Sequence, residues 1–169
     1  MIVNIFNTLK SGWSRVNDWV KRYDGRRPIP TLDSPETVGL YLILHAKYTG
    51  DLLGGAMDNY THPERFQYAM ETQTWNLPID CDDYAIWAYQ ALLRIPGCEP
   101  TIVTLLDQGV VGSHVVCIYR TSKQCGVIDT NGHRLLTGRD PATICQTFTE
   151  IYAARGYRYV SATPTEYPF

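Results

Sequence analysis

Apolar residues at the start of the chain recur at steps of three and four. Ile2, Ile5, Phe6, Leu9, Trp13, Val16, Val20 and Tyr23 draw one stripe down an amphipathic helix that ends near Asp24-Gly25. This predicts a helical extension over about residues 1–30, whose stripe rests on the domain's own core or on a partner or membrane surface. After "DGRRPIPTLD", Ser34 has the chemistry of an N-cap and Pro35 suits the first helical position, so "ETVGLYLILHAKY" reads as a mostly buried helix. His45 falls inside that apolar run and receives no catalytic role. "TGDLLGGAMDNYTHP" is rich in turn formers and reads as a long loop, with a short helix in "PERFQYAMETQ" behind it. Asp80 or Asp82 then caps a helix that begins at Cys81 and runs to about Arg94, where Pro96-Gly97 stops it. Its core-facing stripe is Tyr84, Trp87, Ala88, Ala91 and Leu92.

Beyond that helix the period changes from 3.6 to two. "TIVTLL", "HVVCIYR" and "CGVIDT" are short β-rich runs separated by turn formers, which predicts a meander of antiparallel strands. Asp140-Pro141 opens a last helix in "PATICQTFTEIYAAR", closed by Gly156, and "YRYVSAT" returns as a strand. Helices followed by a sheet with one more helix make an α+β fold, in one domain spanning 1–169.

Composition narrows the classes of function. Fifteen Lys and Arg stand against 17 Asp and Glu, so no basic surplus points to nucleic acid. Asn4, Asn7, Lys10 and Ser11 interrupt the N-terminal apolar residues, which argues against a signal peptide or membrane span and makes a cytoplasmic location the expectation. Five cysteines, at 81, 98, 117, 125 and 145, are an odd number without paired C-x-x-C spacing. Neither a zinc site nor a complete disulfide framework is indicated, and at least one thiol is expected to be free.

The stretch "IDCDDYAIW" sets Cys81 at a helix start among three carboxylates, Asp80, Asp82 and Asp83. The helix field favours a thiolate while the carboxylates oppose it. Two later residues relieve that conflict: His114 in "GSHVVCIYR" and Asp129 in "GVIDTNG". If their strands form a hairpin, a two-residue turn at Thr121-Ser122 sets His114 directly opposite Asp129, and a four-residue turn makes them diagonal. Both registers keep the two side chains on one face, because alternation has period two. A carboxylate beside a histidine fixes its tautomer and stabilises the imidazolium, and the histidine can then draw the proton from a thiol. Each residue also has a plainer reading: packing for the cysteine, a strand neighbour for the histidine, turn chemistry for the aspartate.

"DCDDYAIWAYQALL", "GSHVVCIYR" and "GVIDTNG", in that order, resemble the transglutaminase-like cysteine peptidase superfamily, especially its small bacterial and phage-associated members. The resemblance covers roughly residues 60–135. It implies a papain/transglutaminase-like fold, with the nucleophile at the N-terminus of a helix packed on an antiparallel sheet. It also implies Cys81 as nucleophile, His114 as general base and Asp129 as orienting acid. One departure is Ile79, where that family has Gly before Asp-Cys.

The oxyanion donors expected are the Cys81 backbone N–H and one side chain just upstream, Trp75 or Gln73, since indole and amide N–H groups both donate. The acidic residues flanking Cys81 are helix caps in one reading; in another, suggested by calcium-binding periplasmic members of that family, they help hold Ca²⁺. No other cofactor is implied. Two functions from different classes follow. One is a thiol hydrolase acting on peptide or isopeptide amide bonds of a protein or peptide substrate, with transamidation as its neighbour. The other is a binding protein that keeps the fold without the catalysis.

Overall fold

The computed structural model describes residues 25–50, 60–75, 77–108 and 113–166. The N-terminal stripe, and most of the loops at 49–63 and 107–112, lie outside those residues. The described chain is α+β, with four α-helices and a five-stranded antiparallel sheet. The helices are α1 (Pro35–His45), α2 (Pro63–Thr72), α3 (Cys81–Leu92) and α4 (Pro141–Tyr152). The strands are β1 (Glu99–Asp107), β2 (Ser113–Arg120), β3 (Cys125–Asp129), β4 (Gly132–Leu136) and β5 (Tyr159–Pro164), in the spatial order β4-β3-β2-β1-β5. Among the described residues no helix is long and apolar enough to cross a membrane.

Local chemistry explains the boundaries. Ser34 caps α1 in a reciprocal box with Thr37: its hydroxyl accepts the Thr37 N–H, and Thr37 Oγ1 accepts the Ser34 N–H. Asp140 caps α4 by accepting the Thr143 N–H at 2.9 Å. The β2–β3 hairpin pairs Arg120 with Cys125, which leaves the four residues Thr121–Gln124 as its turn. Of the two registers considered from sequence, this is the diagonal one.

Two expectations change. "GHRLL", not assigned to a strand above, pairs with β3 from Asp129↔Gly132 to Cys125↔Leu136. The two-residue turn at Thr130-Asn131 makes this possible, with Gly132 at φ 89°, a conformation that favours glycine. Helix α1 is not mostly buried: Pro35, Val38, Gly39 and Leu42 face inward, whereas Leu40, Ile43 and Leu44 are 55%, 51% and 66% exposed. Its inner face lies so close to β4 that a Cβ on Gly39 would meet His133 Cβ at 2.4 Å. One contact face suffices to hold a helix, and the apolar outer face is not needed for packing.

The sheet is covered on both sides. Against one face, α1, α2 and α3 bury Phe66, Met70, Ile79, Trp87 and Leu92 on Val115, Cys117, Tyr119 and Ile128. Against the other, α4 buries Ile144, Phe148 and Tyr152 with Val103, Leu105, Val116, Ile118 and Val127. Alternation along β2 therefore sends odd-numbered residues to the first core and even-numbered residues to the second.

Candidate functional site

The first turn of α3 is assembled by its three carboxylates. Asp80 is the N-cap; its side chain accepts the Asp82 N–H at 3.3 Å and forms a reciprocal box with Asp83, whose Oδ2 accepts the Asp80 N–H at 3.2 Å. Asp83 Oδ1 also accepts the Thr61 N–H at 2.6 Å, tying the segment before α2 to the start of α3. Asp82 Oδ1 accepts the Asp83 N–H at 2.8 Å. Asp83 thus anchors the turn that presents Cys81. The preceding Ile79 is fully buried in the first core, and its carbonyl accepts the N–H groups of Thr49 and Gly50, both at 3.0 Å. Its side chain is directed into the core, away from the thiol cavity described below.

Among the described residues, Asp80, Asp82 and Asp83 form the acidic cluster with cation-ligating potential, one oxygen from each lying within 4.8 Å of the others. Calcium requires about six to eight oxygen ligands. Both Asp83 oxygens accept backbone N–H groups, so these carboxylates serve the helix start.

Cys81 sits where the two faces of the sheet meet. The β2–β3 ladder ends at the Cys117↔Ile128 pair, and closer to the start of β2 the Val115 N–H is directed to Cys81 Sγ, 3.5 Å away. The thiol thus lies beside the β2 backbone at the residue next to His114. His114 belongs to the even-numbered face, where its Nε2 is 3.4 Å from Asp129 Oδ2. Both side chains are buried. Because Nε2 faces Asp129, the other ring nitrogen, Nδ1, is left to face elsewhere. Cys81 and His114 line one cavity of ≈ 410 Å³.

Asp129 is held from three directions. Its Oδ1 accepts the Asn131 N–H at 2.8 Å, and its Oδ2 accepts Asn131 Nδ2 at 3.3 Å and the Tyr152 hydroxyl at 3.2 Å. Burial works against its charge, but the bonds and charge of His114, with the Asn131 donors, outweigh it and hold the carboxyl below its usual range. Tyr152 joins the group as a hub. Its hydroxyl is also 3.4 Å from His114 Nε2, and it accepts Asn131 Nδ2 at 2.5 Å. Burial, reinforced by the Asp129 charge, pushes the Tyr152 phenol up to about 12, so it remains a neutral donor. The His114 ring packs edge-on to Tyr152, with centroids 5.4 Å apart, and is enclosed further by Phe148 and Tyr159.

The structure brings Cys81, His114 and Asp129 together, and the two upstream oxyanion candidates do not line the cavity. Gln73 donates its amide to the Met70 carbonyl at 2.7 Å and to the His45 carbonyl at 3.4 Å, which closes the end of α2. Trp75 packs against the first core. Neither lines the cavity of Cys81. His45 is exposed, beside Tyr41, and lies outside the cavity as well. All five cysteines are free thiols, and burial pushes those of Cys117, Cys98 and Cys145 up, away from nucleophilic character.

Sequence reasoning missed Tyr152 and Asn131. Asn131 carried a faint signal, since an Asn-Gly turn directly after a strand aspartate places its donors next to that carboxylate. Tyr152 carried none, because its contact depends on α4 crossing to the far face of the sheet.

No protein-family model matches this chain, and neither a curated protein nor a solved structure matches it significantly.

Proposed function

We propose that this protein is a thiol hydrolase of amide bonds in a peptide or isopeptide, built on a papain/transglutaminase-like arrangement, with Cys81 as nucleophile, His114 as general acid and base and Asp129 as orienting acid. The observation that carries the reading is the convergence of Cys81 Sγ on β2 beside His114, while His114 Nε2 engages the buried Asp129.

The imidazole takes the thiol proton, and Asp129 stabilises the resulting imidazolium. The thiolate attacks the amide carbonyl carbon, and the tetrahedral oxyanion meets the Cys81 backbone N–H at the α3 start, where the helix field is positive. Collapse breaks the C–N bond, the imidazolium gives its proton to the departing amine, and an acyl thioester remains on Cys81. Water then attacks the thioester with His114 as base, releasing a carboxylic acid and restoring the thiol. An amine entering in place of water makes the same machinery a transamidase. Tyr152 and Asn131 act as positioning residues, holding Asp129 toward His114.

The test is the pH dependence of iodoacetamide modification, read at each cysteine by mass spectrometry. Cys81 is expected to react at pH 6 at least ten times faster than an ordinary exposed thiol of pKa about 8.5, and His114→Ala is expected to remove that advantage. A Cys81 rate no greater than that of an ordinary thiol, unchanged in His114→Ala, overturns the mechanism and favours a binding protein that retains the fold.

A further inference from the structure

The cavity of Cys81 carries a charge bias that the acyl-transfer mechanism does not use. Of the described side chains lining it, Arg155 alone has a permanent charge; Tyr48, Ser113, Thr130, Asn131 and Tyr157 contribute neutral hydroxyl or amide groups. The nearest carboxylate of the mechanism, Asp129, is buried and accepts from Asn131 and Tyr152, so its charge is directed inward. Arg155 ends the short 3-10 turn after α4 and is exposed. Its guanidinium lies over the Tyr152 ring, 5.5 Å from the centroid. Tyr152 in turn contacts the His114 ring. The guanidinium therefore stands two ring contacts from the imidazole, held by the residue that supports the His114–Asp129 pair.

We infer that this cleft takes substrates bearing a carboxylate near the amide bond that is attacked, with Arg155 as the residue that selects it. A guanidinium presents paired N–H donors matched to the two oxygens of a carboxylate, and no described carboxylate among the lining residues competes for it. Contacts of 5.5 Å and 5.4 Å in series keep the guanidinium within about 11 Å of the imidazole, a span of roughly three residues of extended peptide. The substrate class is thus an acidic peptide, or one whose terminal carboxylate lies close to the bond. This inference rests on Cys81 being the reacting atom of the proposed function.

Two alkylating probes of similar size and opposite charge character test it: anionic iodoacetate and neutral iodoacetamide. Their rates at Cys81 are measured by mass spectrometry on the full chain, for the wild type and for Arg155→Lys, Arg155→Gln and Arg155→Glu. The measurements are made at pH 9, where the thiol ionises whether or not His114 activates it. The iodoacetate/iodoacetamide ratio is expected to fall roughly threefold in Arg155→Gln at low ionic strength, and further in Arg155→Glu. Arg155→Lys, which keeps the charge but loses the paired donors, is expected to give a ratio between those of the wild type and Arg155→Gln, and salt at about 1 M narrows the differences. An unchanged ratio in both Arg155→Gln and Arg155→Glu overturns the inference. Failure of the catalytic reading has a different signature, a slow iodoacetamide rate at pH 6 in the wild type. Because Arg155 is exposed, its variants are expected to fold, and urea unfolding of each variant reads this directly.

Discussion

The two faces of the sheet handle buried polar groups in different ways. On the face covered by α1, α2 and α3, the Trp87 indole N–H ends on Gln67 Oε1 at 3.1 Å, and Gln67 Nε2 passes the chain on to Tyr41 and Glu71. That network sits within a continuous apolar core, with Tyr41 stacked on Trp87 at 5.3 Å. On the face covered by α4, His114, Asp129, Asn131 and Tyr152 also satisfy one another, but they do so at the wall of a cavity. The first network joins an indole, an amide and a phenol and ends on Glu71 at the surface. The second contains an imidazole, a side chain able to take and give a proton. Cys81 belongs by its helix to the first face and reaches the second where β3 leaves the β2 ladder. A fold-holding face and a cavity-lining face thus share one strand, and Cys81 lies at their seam.

If this division of labour holds, damage to the first face costs stability without altering the character of Cys81. Trp87→Ala removes a fully buried indole and leaves Gln67 without its donor, so an unfolding free-energy loss of about 3–5 kcal/mol is expected in urea. In the fraction that stays folded, the pH profile of Cys81 alkylation should match the wild type. A changed profile would mean that the two faces are coupled, and the comparison would break.

Damage to the second face should have the opposite emphasis. Tyr152→Phe keeps the ring but removes the hydroxyl that donates to Asp129, a loss of about 1–2 kcal/mol. Without that donor Asp129 is held toward His114 by fewer bonds, and the iodoacetamide rate of Cys81 at pH 6 is expected to fall roughly two- to threefold. A profile that superimposes on the wild type would reduce Tyr152 to a packing residue.

What could be read in the sequence follows the same division. Capping chemistry at Asp80 and alternation in "HVVCIYR" are local, and they put Cys81 at a helix start and His114 and Asp129 on one face; grouping all three rested also on the resemblance of the ordered motifs. The outer face of α1 was misread because Leu40, Ile43 and Leu44 look no different in sequence from Val38 and Leu42. Strand β4 was hidden because "GHRLL" has only five residues, with His133 and Arg134 breaking the apolar pattern. Gln73 and Trp75 were chosen as oxyanion candidates for being close to Cys81 along the chain, yet the first ends in a helix cap and the second against the core. Non-local placement is what sequence could not supply, and Tyr152 is its clearest case.

The smallest expected effect concerns acid. Asp129 has a folded-state pKa below its ordinary value, because the bonds to His114 and Asn131 favour the carboxylate more than burial disfavours it. A carboxyl with a depressed folded pKa contributes stability that is fully present above the unfolded value of about 3.9 and is lost as pH falls through the lower folded value. Asp129→Asn cannot take part in that exchange of protons. The stability difference between wild type and Asp129→Asn should therefore narrow below about pH 4 as the wild-type carboxylate is protonated. Urea unfolding at successive pH values reads this directly. Parallel curves down to about pH 2 would show that Asp129 draws no net stabilisation from its charge, and that the second face holds its carboxylate for chemistry alone.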